Sequence, residues 1–208
     1  MKVYILQLGD MGNCTYIVEH KKQGIIIDPS WDINAIEKVL TQENITPKAA
    51  LFTHGHYDHV TDAKDLLEKY NIKGYIHFAD LDLSGLPYKD MTTFEGDHSE
   101  NIAGLKVDFL STPGHSKGSV CIKIADLLFT GDTIFPKACG RTDLPGGDPR
   151  ELMKSLKRLA ALPDKTVIYS GHAYGADGTG STTIGQEKQS NPFIKMALRE
   201  PQNFEDIF

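Results

Sequence analysis

Short apolar stretches broken by Gly, Asn and Pro set the rhythm of this chain. KVYILQL (2–8), CTYIVE (14–19) and QGIIIDP (23–29) are rich in β-branched residues and closed by turn formers, so they are predicted as consecutive strands. The period then changes. In WDINAIEKVLTQEN (31–44), Ile33, Ile36, Val39 and Leu40 share one helical face, which predicts a helix ending near Asn44. KAALFTH (48–54) is a continuous apolar run into a histidine and reads as a buried strand, whereas VTDAKDLLEKYN (60–71) returns to helical spacing. The stretch between them, HGHYDH (54–59), therefore falls at a strand-to-helix junction.

The second half repeats this grammar. GLKVDFLST (104–112), SVCIKIA (119–125), LLFTGD (127–132) and TVIYSGH (166–172) read as strands. DPRELMKSLKRLAAL (148–162) is an amphipathic helix with Asp148 as its N-cap and Pro149 in its first turn, and TTIGQEKQSN (182–191) opens a last helix. Two runs of strands, each followed by helices, predict an α/β architecture of two sheets packed face to face with helices outside. GHAYGADGTGST (171–182) is Gly-rich but lacks the Lys of a phosphate-binding loop, so it reads as a flexible connection.

Composition acts mainly by exclusion. Of the 208 residues, 40% are hydrophobic and 24% charged, the balance of an ordinary globular chain with a substantial core. The net charge is −6 and no basic stripe exists to follow phosphates, which argues against nucleic acid as a partner. No apolar run is long enough to span a bilayer, and the N-terminus lacks the apolar core of a signal peptide. Cys14, Cys121 and Cys139 are odd in number and show no CxxC spacing, which fits a reducing compartment. The expectation is a cytoplasmic protein that binds no membrane, with its oligomeric state left open.

The polar residues at the strand ends change the picture. HGHYDH supplies His54, His56, Asp58 and His59; STPGHS supplies His115, LFTGD supplies Asp132, and VIYSGH supplies His172. Five of the eight histidines fall in these places. Any one of them alone reads more readily as a surface or hydrogen-bonded residue than as a ligand, but strand ends are where a fold delivers side chains to a common site. His54 and His56 are two apart on extended backbone and can point the same way, which with His115 makes a ligand set for one cation. Asp58 and His59, where the chain turns into a helix, can serve a second ion with His172. Asp132 is the natural bridge between two cations about 3.5–4 Å apart.

The motifs THGHYDH, TPGHSKGS, FTGDTIF, GRTDLPGGD and SGH occur in the order and spacing of the metallo-β-lactamase superfamily, which the chain resembles from NCTYIVE and IIIDP onwards. Within it, the chain is most similar to small hydrolases of the glyoxalase II (hydroxyacylglutathione hydrolase) type, whose tail TTIGQEKQSNPF also resembles. The resemblance implies a four-layer αβ/βα sandwich over residues 1–208 as one domain. It implies two divalent ions, zinc first, with iron or manganese as alternatives. It places His54, His56 and His115 on one ion, Asp58, His59 and His172 on the other, and Asp132 between them. It further implies catalytic parts for Asp58, His59 and Asp132, with a hydroxide shared by the ions attacking a thioester carbonyl. Asp28 matches an aspartate that supports the histidine loop from behind, or is simply a turn residue before Pro29.

The implied substrate is a small thioester, glutathione-derived in the larger relatives. There a Cys-Gly-Lys stretch contacts the glutathione carboxylate, and Cys139-Gly140-Arg141 occupies its place here. Arg141 then either receives that carboxylate or pairs with Asp143 or Asp148 to brace its loop; Tyr174 either donates a phenolic hydrogen bond to substrate or packs. Cys139 reads as a small buried residue. The chain departs from the larger enzymes in stopping soon after NPFIKMALREPQNFEDIF, where they carry an extra helical glutathione-binding region, and in reading SGHA and IDPS where they have Pro-Gly-His-Gly and Ile-Asp-Pro-Gly. Two alternatives remain. Persulfide dioxygenases resemble the chain at CGRTD, also keep residues like Asp58 and His59, and would hold one non-haem iron on His54, His115 and Asp132. A non-catalytic metal-binding protein would keep the fold without the reaction.

Overall fold

The strands are laid down in two runs, and each run becomes one sheet. The computed structural model describes residues 1–174 and 180–199. In the first sheet β1 (Lys2–Leu8), β2 (Asn13–His20), β3 (Gln23–Ile27), β4 (Thr46–Leu51), β5 (Lys73–His77) and β6 (Met91–Phe94) lie side by side in chain order. β1 to β3 pair antiparallel through tight turns. From β3 to β6 the pairing is parallel, and helices fill the crossovers. These are α1 (Ile33–Gln42), the short α2 (Tyr57–Val60) with α3 (Ala63–Tyr70), and α4 (Phe78–Ser84).

The second sheet takes β7 (His98–Ile102), β8 (Leu105–Ser111), β9 (Val120–Ile124) and β10 (Leu127–Gly131) as a meander. A two-stranded ribbon, β11 (Ile134–Phe135) and β12 (Ala138–Cys139), then leads to α5 (Pro149–Ala160). β13 (Val167–Ser170) returns parallel to β10, β14 (Ser181–Thr183) closes that edge, and α6 (Ile184–Ser190) and α7 (Pro192–Leu198) follow. Because β9 is antiparallel to both β8 and β10, the strands β8, β10 and β13 all end on the same edge.

Period-two alternation decides which side chain goes where. In β2 and β3, Tyr16, Val18, Ile25 and Ile27 face the other sheet and meet Phe109, Ile122 and Phe129. Their neighbours Ile17 and Ile26 face outward onto Ile36 and Leu40 of α1 and Leu66 of α3. The second sheet does the same with Cys121, Leu128 and Ile168 against Leu152, Leu156 and Leu159 of α5 and Ile194 of α7. The result is helix, sheet, sheet, helix: the four-layer sandwich expected from the sequence. Asp148 caps α5 by accepting from the backbone N–H of Arg150 and Glu151, with Pro149 at its start.

The sequence reading missed some elements and overran others. Residues 72–103 hold β5, α4, β6 and β7, all too short or too mixed in pattern to be assigned from periodicity. α2 and α3 are separated by a turn at Thr61 and Asp62, so the helix after the histidine loop is broken. α1 stops at Gln42, ahead of Asn44, whose φ of 54° ends the helical path. Residues 175–179 of the Gly-rich stretch and 200–208 of the tail lie outside the described residues.

Candidate metal centre

All seven sequence-predicted donors converge on the edge where β4, β8, β10 and β13 end. His54 and His56 follow β4, and α2 carries Asp58 and His59. His115 lies in the loop after β8, Asp132 follows β10 directly, and His172 comes two residues after β13. Three groups of donor atoms form, each with its atoms within 4.8 Å of one another: His54, His56 and His115; Asp58, His59 and His172; and, behind these two, Asp28 with His54 and His59. Asp132 touches the first two, with Oδ2 3.6 Å from His115 Nε2 and 3.3 Å from His172 Nε2, and Oδ1 3.4 Å from His59 Nε2.

Ring orientation follows from what each Nδ1 meets. His115 Nδ1 donates to the carbonyl of Arg141 at 2.8 Å, and His172 Nδ1 donates to the carbonyl of Met11 at 3.1 Å. His59 Nδ1 donates to Asp28 Oδ2 at 3.1 Å. Thr53 Oγ1 gives its own proton to Asp28 Oδ2 at 2.6 Å and so accepts from His54 Nδ1 at 3.0 Å. Four imidazoles therefore keep their Nδ1 proton on an acceptor behind the site, and each turns the lone pair of Nε2 into it. His56 is the exception. Its Nδ1 faces inward, 2.8 Å from His115 Nε2.

The donor set fits metal ions. His54 Nε2 and Asp132 Oδ1 are buried polar atoms without a hydrogen-bond partner among the described residues, an expensive state for an isolated group. Around a tetrahedral zinc with ligands at about 2.0–2.1 Å, neighbouring donors stand about 3.3–3.4 Å apart. In the second group His59 Nε2 and His172 Nε2 are 3.4 Å apart, and Asp58 Oδ2 is 3.4 Å from His172 Nε2 and 3.6 Å from His59 Nε2. Those spacings are the edges of such a tetrahedron.

Electrostatics point the same way. Burial pushes His54 well below the ordinary imidazole pKa and also lowers His56, which keeps both neutral and ready to donate a lone pair. Burial opposes charge on His59 as well, but Asp132 and Asp28 outweigh it and hold that ring well above its ordinary value. For His172 the bonds to Asp132 and Asp58 outweigh burial and raise the pKa to about 9. Asp58 and Asp132 are held far below the usual carboxylate range by the same histidines, against the effect of burial. A cluster with this much negative charge among imidazoles is built for cations.

Three residues that sequence reading did not single out hold this arrangement. Asp80, buried in α4, accepts from Gly55 N at 2.9 Å, Ser116 Oγ at 2.6 Å and Gly118 N at 2.7 Å, tying the His54–His59 loop to the His115 loop. Thr53 links Asp28 to His54, as above. Asn13 donates to Asp58 Oδ2 at 2.9 Å. Nothing in the local sequence marks them, because each acts on a partner distant in the chain. Asp28 does support the histidine loop: it accepts from Thr53 N, Thr53 Oγ1 and His59 Nδ1. With those lone pairs engaged, it stands behind the donors and not among them. Gly171 is required by space, since a Cβ there would sit 2.2 Å from Asp132 Oδ1.

The two substrate candidates are placed differently. The Arg141 guanidinium is exposed and makes a two-point pair with Asp143 at 2.6 and 2.7 Å, the loop-bracing alternative, while its backbone carbonyl anchors His115. Tyr174 stacks on His172 with ring centroids 5.0 Å apart and is half exposed beside the site. Cys139 is partly buried, and burial drives its thiol pKa up to about 12, so it is no nucleophile.

The sequence pattern of the metallo-beta-lactamase superfamily matches residues 8–172, from β1 to the last of the seven donors. The chain belongs to the metallo-β-lactamase superfamily. Among members of this superfamily, it is 34% identical over 212 residues to the probable metallo-hydrolase YqgX of Bacillus subtilis, covering 93% of this chain and 98% of that one. It is 33% identical over 171 residues to a hydroxyacylglutathione hydrolase of Photobacterium profundum, covering 82% of this chain and 64% of that one. A solved structure, TTHA1623 in a di-iron-bound form, superposes with a TM-score of 0.77 at 32% identity, covering 91% of this chain and 99% of that one. Superfamily membership and the histidine–aspartate clusters together indicate a binuclear divalent metal site of a metallo-hydrolase, in which the identity of the metal is open.

Proposed function

We propose that this superfamily member is a thioester hydrolase of the hydroxyacylglutathione hydrolase type. The observation that carries the reading is the complete set of seven donors, divided into two groups that share Asp132, in a chain one-third identical to a hydroxyacylglutathione hydrolase. His54, His56 and His115 would hold one divalent ion; Asp58, His59 and His172 the other; and Asp132 would reach both. When bound, such ions supply a water of lowered pKa and a Lewis acid for the carbonyl oxygen.

The chain's own residues do the rest. Acceptors behind four imidazoles keep their protons off the donor nitrogens, so those rings enter in the required tautomer. Asp58 and Asp132 stay ionised at neutral pH and balance the charge of the ions. A thiolate leaves as a stable anion, so no buried general acid is needed, and none lies among the described donors. Tyr174 presents its phenol at the mouth to bind substrate. Arg141 borders a shallow cavity of about 420 Å³ lined also by Cys139, Gly140, Thr142, Asp143 and Phe193, room for part of a thiol carrier. An ion pair in full contact with water contributes little, so Arg141 can exchange Asp143 for a substrate carboxylate at little cost.

The single-iron alternative needs only His54, His115 and Asp132 and leaves the spacing of Asp58, His59 and His172 without a task. That spacing favours two ions and hydrolysis. Zinc is the first candidate, with iron or manganese able to occupy the same mixed donors. The deciding test is loss of thioester absorbance with S-lactoylglutathione, using protein reconstituted separately with zinc and with iron. Metal-dependent turnover is expected, abolished together with part of the metal content in His56→Ala. No turnover with either metal removes this reading, and oxygen uptake with glutathione persulfide then becomes the test of the iron alternative.

A further inference from the structure

Trp31 reaches the metal centre through one intermediary. Its indole lies against the β1–β2 turn so closely that a Cβ on Gly9 would stand 2.7 Å from the ring. Its backbone N–H donates to Thr61 Oγ1 at 2.6 Å, just beyond α2. Trp31 is 38% exposed, yet the one polar atom of its ring is committed inward: Nε1 donates to Asn13 Oδ1 at 2.9 Å. An indole N–H can only donate, so the Asn13 amide must turn its oxygen to Trp31 and its nitrogen away. That nitrogen donates twice to Asp58, to the backbone oxygen at 3.1 Å and to Oδ2 at 2.9 Å. Oδ2 is the oxygen that stands with His59 and His172 in the second donor group.

We infer that Trp31 is a positioning residue for the second metal ion: its N–H fixes the Asn13 amide, and Asn13 fixes the Asp58 oxygen that the ion would take. The inference rests on the two-ion reading above. Of the donors, Asp58 has the greatest need of such help. It is the most exposed of the carboxylates and histidines in its group, with 20% of its side chain accessible against 1% for His59 and 5% for His172. Burial and their Nδ1 hydrogen bonds fix the two rings; the more exposed carboxylate is held by Asn13. Asn13 is itself held by the backbone bridge to His172, so one residue serves two donors of the same group.

The test is a titration of the metal-free protein with cobalt(II), followed by its ligand-field absorbance and repeated with zinc in competition. Wild type should take up two ions. Asn13→Ala, which removes the direct partner of a ligand, should weaken the second by about 10–100-fold. Trp31→Phe keeps the ring and removes the N–H; it should weaken the second ion about tenfold, leave the first unchanged and leave the metal-free unfolding midpoint near wild type. The double variant should bind like Asn13→Ala alone, because the indole acts only through the amide. An unchanged second site in Trp31→Phe, equal losses at both sites, or additive losses in the double variant would each overturn the inference. A wild type that binds one ion instead overturns the two-ion reading itself, and that outcome is distinct from the others.

Discussion

Asp28→Asn changes one atom behind the metal centre and should disturb both halves of it. The native carboxylate takes three donors: Thr53 N on Oδ1 at 2.8 Å, and Thr53 Oγ1 and His59 Nδ1 on Oδ2 at 2.6 and 3.1 Å. An amide has one oxygen, so either orientation sets its NH₂ against at least one of these buried donors. Hydrogen bonds to a charged acceptor contribute about 1.5–3 kcal/mol and neutral ones about 0.5–1.5, so three weakened bonds cost about 3 kcal/mol. The donor left facing the NH₂ adds about 1–3 kcal/mol more. The total, about 4–6 kcal/mol, is read by urea unfolding of the metal-free protein. If the NH₂ takes the Oδ2 position, His59 must accept at Nδ1 and turn an Nε2 proton towards the second ion, so second-ion affinity should fall by about 10–100-fold in the cobalt titration. An Asp28→Asn protein within about 0.5 kcal/mol of wild type in unfolding, with both ions bound as before, refutes the account of how His59 is oriented.

Three further outcomes follow from the same geometry. Asp80→Ala strands Gly55 N and Gly118 N in a buried place and leaves Ser116 Oγ only its bond to Ser119 Oγ, which should cost about 3–5 kcal/mol by urea unfolding and abolish turnover; a loss under about 1 kcal/mol contradicts it. In chelator-treated protein His172 has a folded pKa of about 9 against an ordinary 6.5, raised by its bonds to Asp132 and Asp58 against burial. A raised pKa gives stability that is complete below about pH 6.5 and lost as pH climbs to about 9, on the order of 3 kcal/mol. The midpoint of thermal unfolding should fall across that window without metal, and metal affinity should rise across it because the ring must lose its proton to bind. Burial drives the thiols of Cys14 and Cys121 up to about 11 and that of Cys139 to about 12, so iodoacetamide at pH 8 should leave native protein unlabelled by mass spectrometry; rapid labelling of Cys139 argues against its burial.

The candidate ligands were legible because their chemistry is local. A histidine that ends an apolar run, beside glycine, announces a strand end and a donor at once, as at His54, His115 and His172. Both sheets were legible for the same reason: β2, β3, β9 and β10 carry dense β-branched patterns that leave no other choice. What holds the ligands was not legible. Asp80 lies in HFADLDLSG, an unremarked helical segment, and matters only because α4 brings it to Gly118, 38 residues away. Asn13 meets Asp58 across 45 residues and Trp31 across 18. The strand β6 is a four-residue edge that exists by pairing with β5, not by its own pattern. Arg141 shows the limit of motif reading. Its position was legible, but its guanidinium lies on Asp143, and the contact it makes with the site is through its backbone carbonyl.

The division of the donors between the two sheets has a thermodynamic consequence. Each of the first two groups takes two members from the loop after β4 and one from the second sheet, and Asp132, also from the second sheet, completes both. Where they meet, the sheets are already stitched: Cys14 N donates to Gly171 O at 2.8 Å, Ala173 N to Gly12 O at 2.9 Å, and Tyr16 Oη to Ser170 O at 2.5 Å. These contacts join segments about 160 residues apart, the kind of pairing a folding chain reaches late. Neither of these two groups can be completed from one half of the chain alone. Ions would therefore select the docked sandwich over any half-folded state, and their binding energy would appear as cohesion between the sheets. Chelation should accordingly be felt first as faster amide exchange at Cys14 and Ala173, along the seam, while the interior of each sheet stays protected.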